Sequence, residues 1–296
     1  MLKLAWIFAF CILIEPAFTQ KIEVAGHYGA RGLVPENTIP SFLRALHEGV
    51  TGLHIGVAIS GDGKVIVSSE PWMSSRICTD SLGRNIPVSE DKKLNIFTMS
   101  LKEIQSYDCG NKYLPEFPNQ EKISVPKPLL HEMIATTERL IKSDRLSLPV
   151  YNIEIISGLT GDYIYHPPPD EYLTLVIDLI DQYLPRERVK ILSADFRVLL
   201  ILNQDYPDIQ GGLIFETPLS VQQIDDSLGF VPSTLHPDQV HVTERLINDA
   251  HSKKSRVVPF TVNRTMDMLD HINMGVDGII TDYPDSARVI RLTRNQ

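Results

Sequence analysis

Apolar residues along this chain alternate between two spacings. Short apolar runs bounded by Gly, Pro, Asn or Asp read as strands: "KIEVAGH", "GLHIGVAI", "KVIVSS", "PVYNIEII", "VKILSA", "IQGGLIFE", a weaker "STLHP", "RVVPFTV" and "GIITD". Between them, apolar positions recur at helical spacing. In "PENTIPSFLRALHEG", Ile39, Phe42, Leu43 and Leu46 form one stripe, closed by Gly49. The same spacing predicts helices in "KPLLHEMIATTERLIKS", "DEYLTLVIDLIDQYL", "FRVLLILNQDYP", "SVQQIDDSLG", "TERLINDAHSKK", "MDMLDHINMG" and "SARVIRL". About eight strand–helix units in series imply a parallel sheet with helices packed on it.

Such a sheet can close or stay open. The roughly 275 residues beyond the first twenty suit a closed (β/α)8 TIM barrel. No glycine-rich dinucleotide fingerprint opens any predicted helix, which disfavours an open doubly wound sheet. The alternation fails once, from Pro71 to about Val125, where Pro, Gly, Asn and charges scatter around one short helix, "SLKEIQSY". We read one barrel domain over 21–296 with an insertion after its second strand, at about 71–125. Trp72, Tyr107, Tyr113 and Phe117 in that insertion build either its own small core or a binding surface.

The first twenty residues do not fit the barrel. Lys3, the apolar "LAWIFAFCILI" and the exit "EPAFTQ" predict a signal peptide over 1–20, too short to span a bilayer. The expectation is an exported protein, periplasmic or extracellular, with no stable membrane anchor. Two cysteines then remain, Cys78 and Cys109, and an even count in an exported chain predicts one disulfide. The alternative is a pair of buried free thiols. At 43% hydrophobic and 22% charged the chain is globular. Its net charge of -9 argues against nucleic acid as a partner. A small anionic ligand needs only one local cationic pocket.

A barrel confines the search for function to the C-terminal ends of its strands and the loops beyond them. There stand His27, Glu36, His54, Gly56, Ser69, Glu154, Asp195, Glu216, Asn263 and Asp282. Any one of them can be merely a cap or a surface group; their gathering at one end predicts a pocket. "NRT" at Asn263 also fits a glycosylation sequon, but it lies at the end of a predicted strand.

"GHYGARGLVPENTIPSF", "YNIEI", "ILSADFRVLLIL", "VVPFTVN" and "LDHINMGVDGIITDYPD", in this order, resemble the glycerophosphodiester phosphodiesterase family over essentially the whole mature chain. The resemblance implies a barrel and hydrolysis of a phosphoric diester in glycerophospholipid metabolism. It also implies a His-Arg pair after the first strand, a Glu-x-Asp on the second, a further histidine beyond it and a Glu-x-Lys on the third. The carboxylates would hold Ca²⁺ or Mg²⁺, and the histidines would be general acid and base.

This chain departs from that pattern. His27 matches the first histidine, but Tyr28 replaces the arginine. His54 and Gly56 replace the carboxylate pair, so Gly56 is a lost ligand position. Ser69 stands at the second-histidine position, and Ile156 takes the place of lysine beside the matching Glu154. Arg31, Glu36, Tyr28 and Phe260 remain as substrate-binding candidates. The chemistry implied is therefore that of an impaired enzyme or pseudoenzyme that uses no cofactor. It would bind a small polyol or phospho-compound, or a protein partner of unknown identity, at the barrel mouth. The alternative is an active metal-dependent phosphodiesterase with a rearranged site, with zinc held by His27, His54 and Glu154.

Overall fold

The computed structural model describes residues 22–288 and Ile290. The expected signal peptide, and Val289, Arg291 and Leu292 of the last predicted helix, lie outside the described residues. Strands β1 (Glu23–Gly26), β2 (Gly52–Ile59), β3 (Val65–Val67), β4 (Val150–Ile155), β5 (Val189–Ser193), β6 (Gln210–Phe215), β7 (Thr234–Pro237), β8 (Arg256–Val257) and β9 (Gly278–Thr281) form one sheet. Its order is β8-β7-β6-β5-β4-β2-β1-β9, all pairs along that path being parallel, and β3 pairs antiparallel with β2 off the path. Backbone hydrogen bonds from Asp277 N to Val257 O and from Ile280 N to Pro259 O, both 2.9 Å, join the two ends. The result is an eight-stranded (β/α) barrel, as the alternation predicts.

Helices α1 (Ile39–His47), α3 (Leu130–Asp144), α4 (Pro169–Ile180), α5 (Phe196–Asp205), α6 (Val221–Leu228), α7 (Glu244–Ser252) and α8 (Thr265–Met274) follow successive barrel strands, and a single turn, α2 (Leu101–Ile104), lies in the insertion. Side chains alternate along each strand. Leu53, Ile55 and Val57 of β2 and Tyr151, Ile153 and Ile155 of β4 join the core beneath the helices. The intervening positions point into the barrel. At its N-terminal end, Glu23 accepts from Lys190 Nζ at 2.8 Å, Arg256 at 3.0 Å and Asn152 at 3.3 Å, so four strands meet across the interior. Above this lies an apolar layer of Ala25, Val258 and Ile280. The mouth follows.

The insertion has a separate core that includes Met73, Ile77, Ile96, Ile104, Leu114 and Phe117, with Tyr107 packed against it. Tyr113 is exposed, and Trp72 meets Tyr165 of the barrel edge-on at 5.9 Å. Thus two of the four insertion aromatics build its core and two do not. Cys78 and Cys109 are joined as a disulfide, as expected.

Candidate active site at the barrel mouth

The turn after β1 positions the first candidates. Gly29 (φ +93°) lies against Ser41 so closely that a Cβ would meet the Ser41 hydroxyl at 2.5 Å. Tyr28 also takes a left-handed φ of 48°, an unfavourable conformation for tyrosine that persists only when its surroundings enforce it. The Tyr28 hydroxyl donates to Glu154 Oε2 at 2.9 Å. Its ring stacks on His27 (4.3 Å) and on His54 (4.9 Å). Burial, then the Glu154 charge, pushes the Tyr28 phenol well above its ordinary value, so it remains a donor.

His27 Nδ1 lies 2.9 Å from Asp282 Oδ1, with the Thr261 hydroxyl 3.2 Å away. Asp282 also accepts from Arg31 Nε at 2.7 Å, Arg31 Nη2 at 3.2 Å and Asn263 Nδ2 at 2.8 Å. Burial, reinforced by the Arg31 charge, holds the His27 imidazole down to about 4. Burial alone would raise the Asp282 carboxyl; the His27 hydrogen bond and Arg31 hold it well below the usual carboxylate range instead. The physical state is a neutral imidazole donating through Nδ1 to a carboxylate. Asn263 accepts at its amide oxygen from the Thr281 hydroxyl and the Asp282 backbone and donates one amide hydrogen to the Asp282 carboxylate, which ties it into the mouth.

A second group surrounds Glu36. Its carboxylate accepts from Ser69 Oγ and from Arg76 of the insertion, each at 2.6 Å. Burial would raise this carboxyl; Arg76, then Arg31, more than offsets that and lowers it. Nearby, buried Lys127 donates to Ser68 Oγ at 2.9 Å, and its burial pushes the ammonium down to about 8. Arg76 and Lys127 escaped sequence reasoning. Arg76 sits in the stretch without periodicity, and Lys127 precedes a helix with nothing in its spacing to mark it.

Position 56 is more than substituted. Gly56 stands beside Glu154 in the β2–β4 register. A Cβ on Gly56 would lie 2.4 Å from the backbone carbonyl oxygen of Ser68 and 3.2 Å from Ile156 Cδ1. The Ser68 amide in turn donates to Gly56 O at 2.9 Å. Backbone now fills the space a second-strand carboxylate would need.

The remaining candidates separate. Phe260 packs on the apolar layer beneath the mouth. Asp195 caps α5 and binds Arg197 and Ser157, so it is a loop-ordering acid. Glu216 is exposed, and its backbone carbonyl meets His241 Nε2 at 2.9 Å.

The donor set does not fit a hard divalent cation, which takes six or more oxygens. Glu154 is engaged by Tyr28, His54 supplies nitrogen, and position 56 supplies nothing. Zinc fits no better. The one carboxylate oxygen that faces His54, Glu154 Oε2 at 3.3 Å, is the oxygen that accepts from the Tyr28 hydroxyl, and His27 turns its Nδ1 to Asp282. Among the described residues, no group of three or more His, Cys, Asp or Glu side chains is arranged to hold a metal ion.

A parallel barrel with imidazole, phenol and carboxylate groups converging at its C-terminal mouth defines the class of the (β/α)8 barrel enzymes and their descendants. Residues 27–286 match the glycerophosphoryl diester phosphodiesterase family, and the chain belongs to that family. A glycerophosphodiester phosphodiesterase of Caldanaerobacter subterraneus is 30% identical, over 93% of this chain and 99% of its own. Another, from Bacillus altitudinis, is 27% identical over 91% and 98%. Among solved structures, one from Silicibacter pomeroyi superposes with a TM-score of 0.82 at 26% identity, over 93% of this chain and 95% of that one. An Oleispira antarctica phosphodiesterase, solved with its product sn-glycerol-3-phosphate, gives 0.71 at 21% identity over 93% and 97%, and shares the fold.

Proposed function

We propose that this chain is an exported family member whose metal-dependent phosphodiester hydrolysis is disabled and whose mouth serves as a binding site. The observation that carries this reading is the contact at Gly56, where a side chain would enter the Ser68 backbone at 2.4 Å. A lost general acid or base costs about 10²–10⁴ in rate, and a lost cation about several kcal/mol of transition-state stabilisation more. Such losses are not additive, yet either alone leaves the inherited reaction far below a working rate. The ligand is a small polyol or phospho-compound, which Tyr28 and Arg31 would contact, with no nucleic acid involved; Glu36 is buried against Ser69 and Arg76 and would act by holding that side of the mouth in place. The disulfide supports export, because such bonds persist in oxidising compartments.

The His27–Asp282 pair favours one second reading, an active phosphodiesterase with a rearranged site, because a carboxylate-oriented imidazole is a competent proton carrier. Calorimetric titration with Ca²⁺, Mg²⁺, Mn²⁺ and Zn²⁺ separates the two. The proposal expects no saturable site; a stoichiometric site abolished by Glu154→Gln would overturn it.

A further inference from the structure

The loop between β4 and α4 leaves the mouth directly beyond Glu154 and ends in an exposed apolar tip. Leu159 is 77% exposed, Tyr163 69% and Ile164 55%, an unusual outlay of large apolar surface within six residues. The tip is ordered by its own hydrogen bonds, Gly161 N to Gly158 O at 2.8 Å and Tyr163 N to His166 O at 2.8 Å. Asn95 of the insertion fastens it through Ile164 O at 2.5 Å. Tyr163 adopts a φ of 58°, unfavourable for a tyrosine, with its ring in solvent. Beside the tip, Trp72 meets Tyr165 edge-on, and the Lys92 ammonium sits 5.8 Å over the Trp72 ring.

Charge identifies the occupant. The whole chain carries -9, yet the only acid between Ile156 and Pro168 is Asp162, and Arg197 neutralises it at 2.6 and 3.0 Å. The tip is therefore an uncharged apolar projection on an acidic body. A stable protein interface needs about 800 Å² on each partner, more than three protruding side chains provide. A bilayer asks only for protruding Leu, Ile and Tyr flanked by Trp and Lys at headgroup level. An acidic body is repelled by anionic lipid. We propose that the Leu159–Tyr163–Ile164 tip docks this protein, reversibly, on a zwitterionic bilayer surface. Docking there holds the barrel mouth toward the headgroups.

The test reads the tip itself, because the apolar residues 4–14 also partition into lipid. Amide hydrogen exchange of peptides spanning 158–165 is followed in the full chain, with phosphatidylcholine vesicles and with vesicles enriched in phosphatidylglycerol. Slower exchange on phosphatidylcholine is expected. Leu159→Asp with Ile164→Asp should weaken the effect by about a hundredfold in lipid concentration, with an unchanged thermal midpoint. Leu159→Trp should strengthen it. No protection of 158–165, protection by anionic vesicles alone, or equal protection in the double-aspartate variant would each overturn the proposal.

Discussion

Replacing Arg76 with methionine removes the guanidinium that ties the insertion to the barrel while keeping most of the side-chain stem. Arg76 donates to Glu36 at 2.6 Å and to Glu116 at 3.1 Å. The Glu36 side chain is 1% exposed, so water cannot replace the lost partner. Breaking a fully buried pair costs about 3–5 kcal/mol. Arg76 is 36% exposed and solvent screens part of its interaction, so the expected loss is about 2–3 kcal/mol at neutral pH. For a domain of this size that lowers the thermal midpoint by roughly 5–10 °C. The pH dependence fixes the sign. Arg76 and Arg31 hold the folded Glu36 carboxyl below its ordinary 4.5. Their stabilisation is present above 4.5 and is lost as pH falls through the folded value. In the variant, burial is opposed mainly by Arg31, the carboxyl rises, and it can take a proton in mild acid. The gap between wild type and variant therefore narrows from neutral pH to 4.5. Melts followed by circular dichroism on wild type, Arg76→Met, Glu36→Gln and the double variant would measure this, and the double variant should recover most of the loss. A fall below about 2 °C at neutral pH, or a wider gap at pH 4.5, would refute the reasoning.

The other predictions follow the same geometry. Gly56→Ala should cost about 1–3 kcal/mol by overpacking against the Ser68 backbone, seen as a lower melting midpoint; an unchanged midpoint would show that the strands can separate there. For the same reason, Tyr28→Arg, His54→Glu, Gly56→Asp, Ser69→His and Ile156→Lys together should not restore turnover. Cys78→Ala with Cys109→Ala opens a loop of about 32 residues and should cost roughly 3–4 kcal/mol, measured by denaturant unfolding with and without reductant. His27 should titrate by proton NMR near pH 4, not near 6.5. Its folded value lies below the unfolded one, so its contribution is full above 6.5 and is lost as pH falls toward 4, by on the order of 2–3 kcal/mol.

Much of the barrel was legible because its physics is periodic. The alternation of two-residue and helical spacing found every barrel strand, including weak "STLHP", which is β7. It overstated "RVVPFTV", of which only Arg256–Val257 is strand, because closure there runs through loop backbone around Pro259. Of the strand-end positions, His27, His54, Glu154 and Asp282 gather at the mouth, where Asp282 is the acceptor that orients His27, whereas Asp195 and Glu216 order loops or face solvent. The pairings of the site were not legible. No spacing rule joins Arg76 to Glu36, Lys127 to Ser68 or Tyr28 to Glu154, because each crosses between elements far apart in sequence. Nor could composition reveal that Gly56 is closed over by backbone.

The central claim is that this mouth has lost the inherited hydrolysis. Turnover of glycerophosphocholine by purified protein, with Ca²⁺, Mg²⁺, Mn²⁺ and Zn²⁺ supplied in turn, tests it most directly. The account predicts no product above the protein-free control with any of the four. Metal-dependent release of sn-glycerol-3-phosphate that disappears in His27→Ala would contradict it.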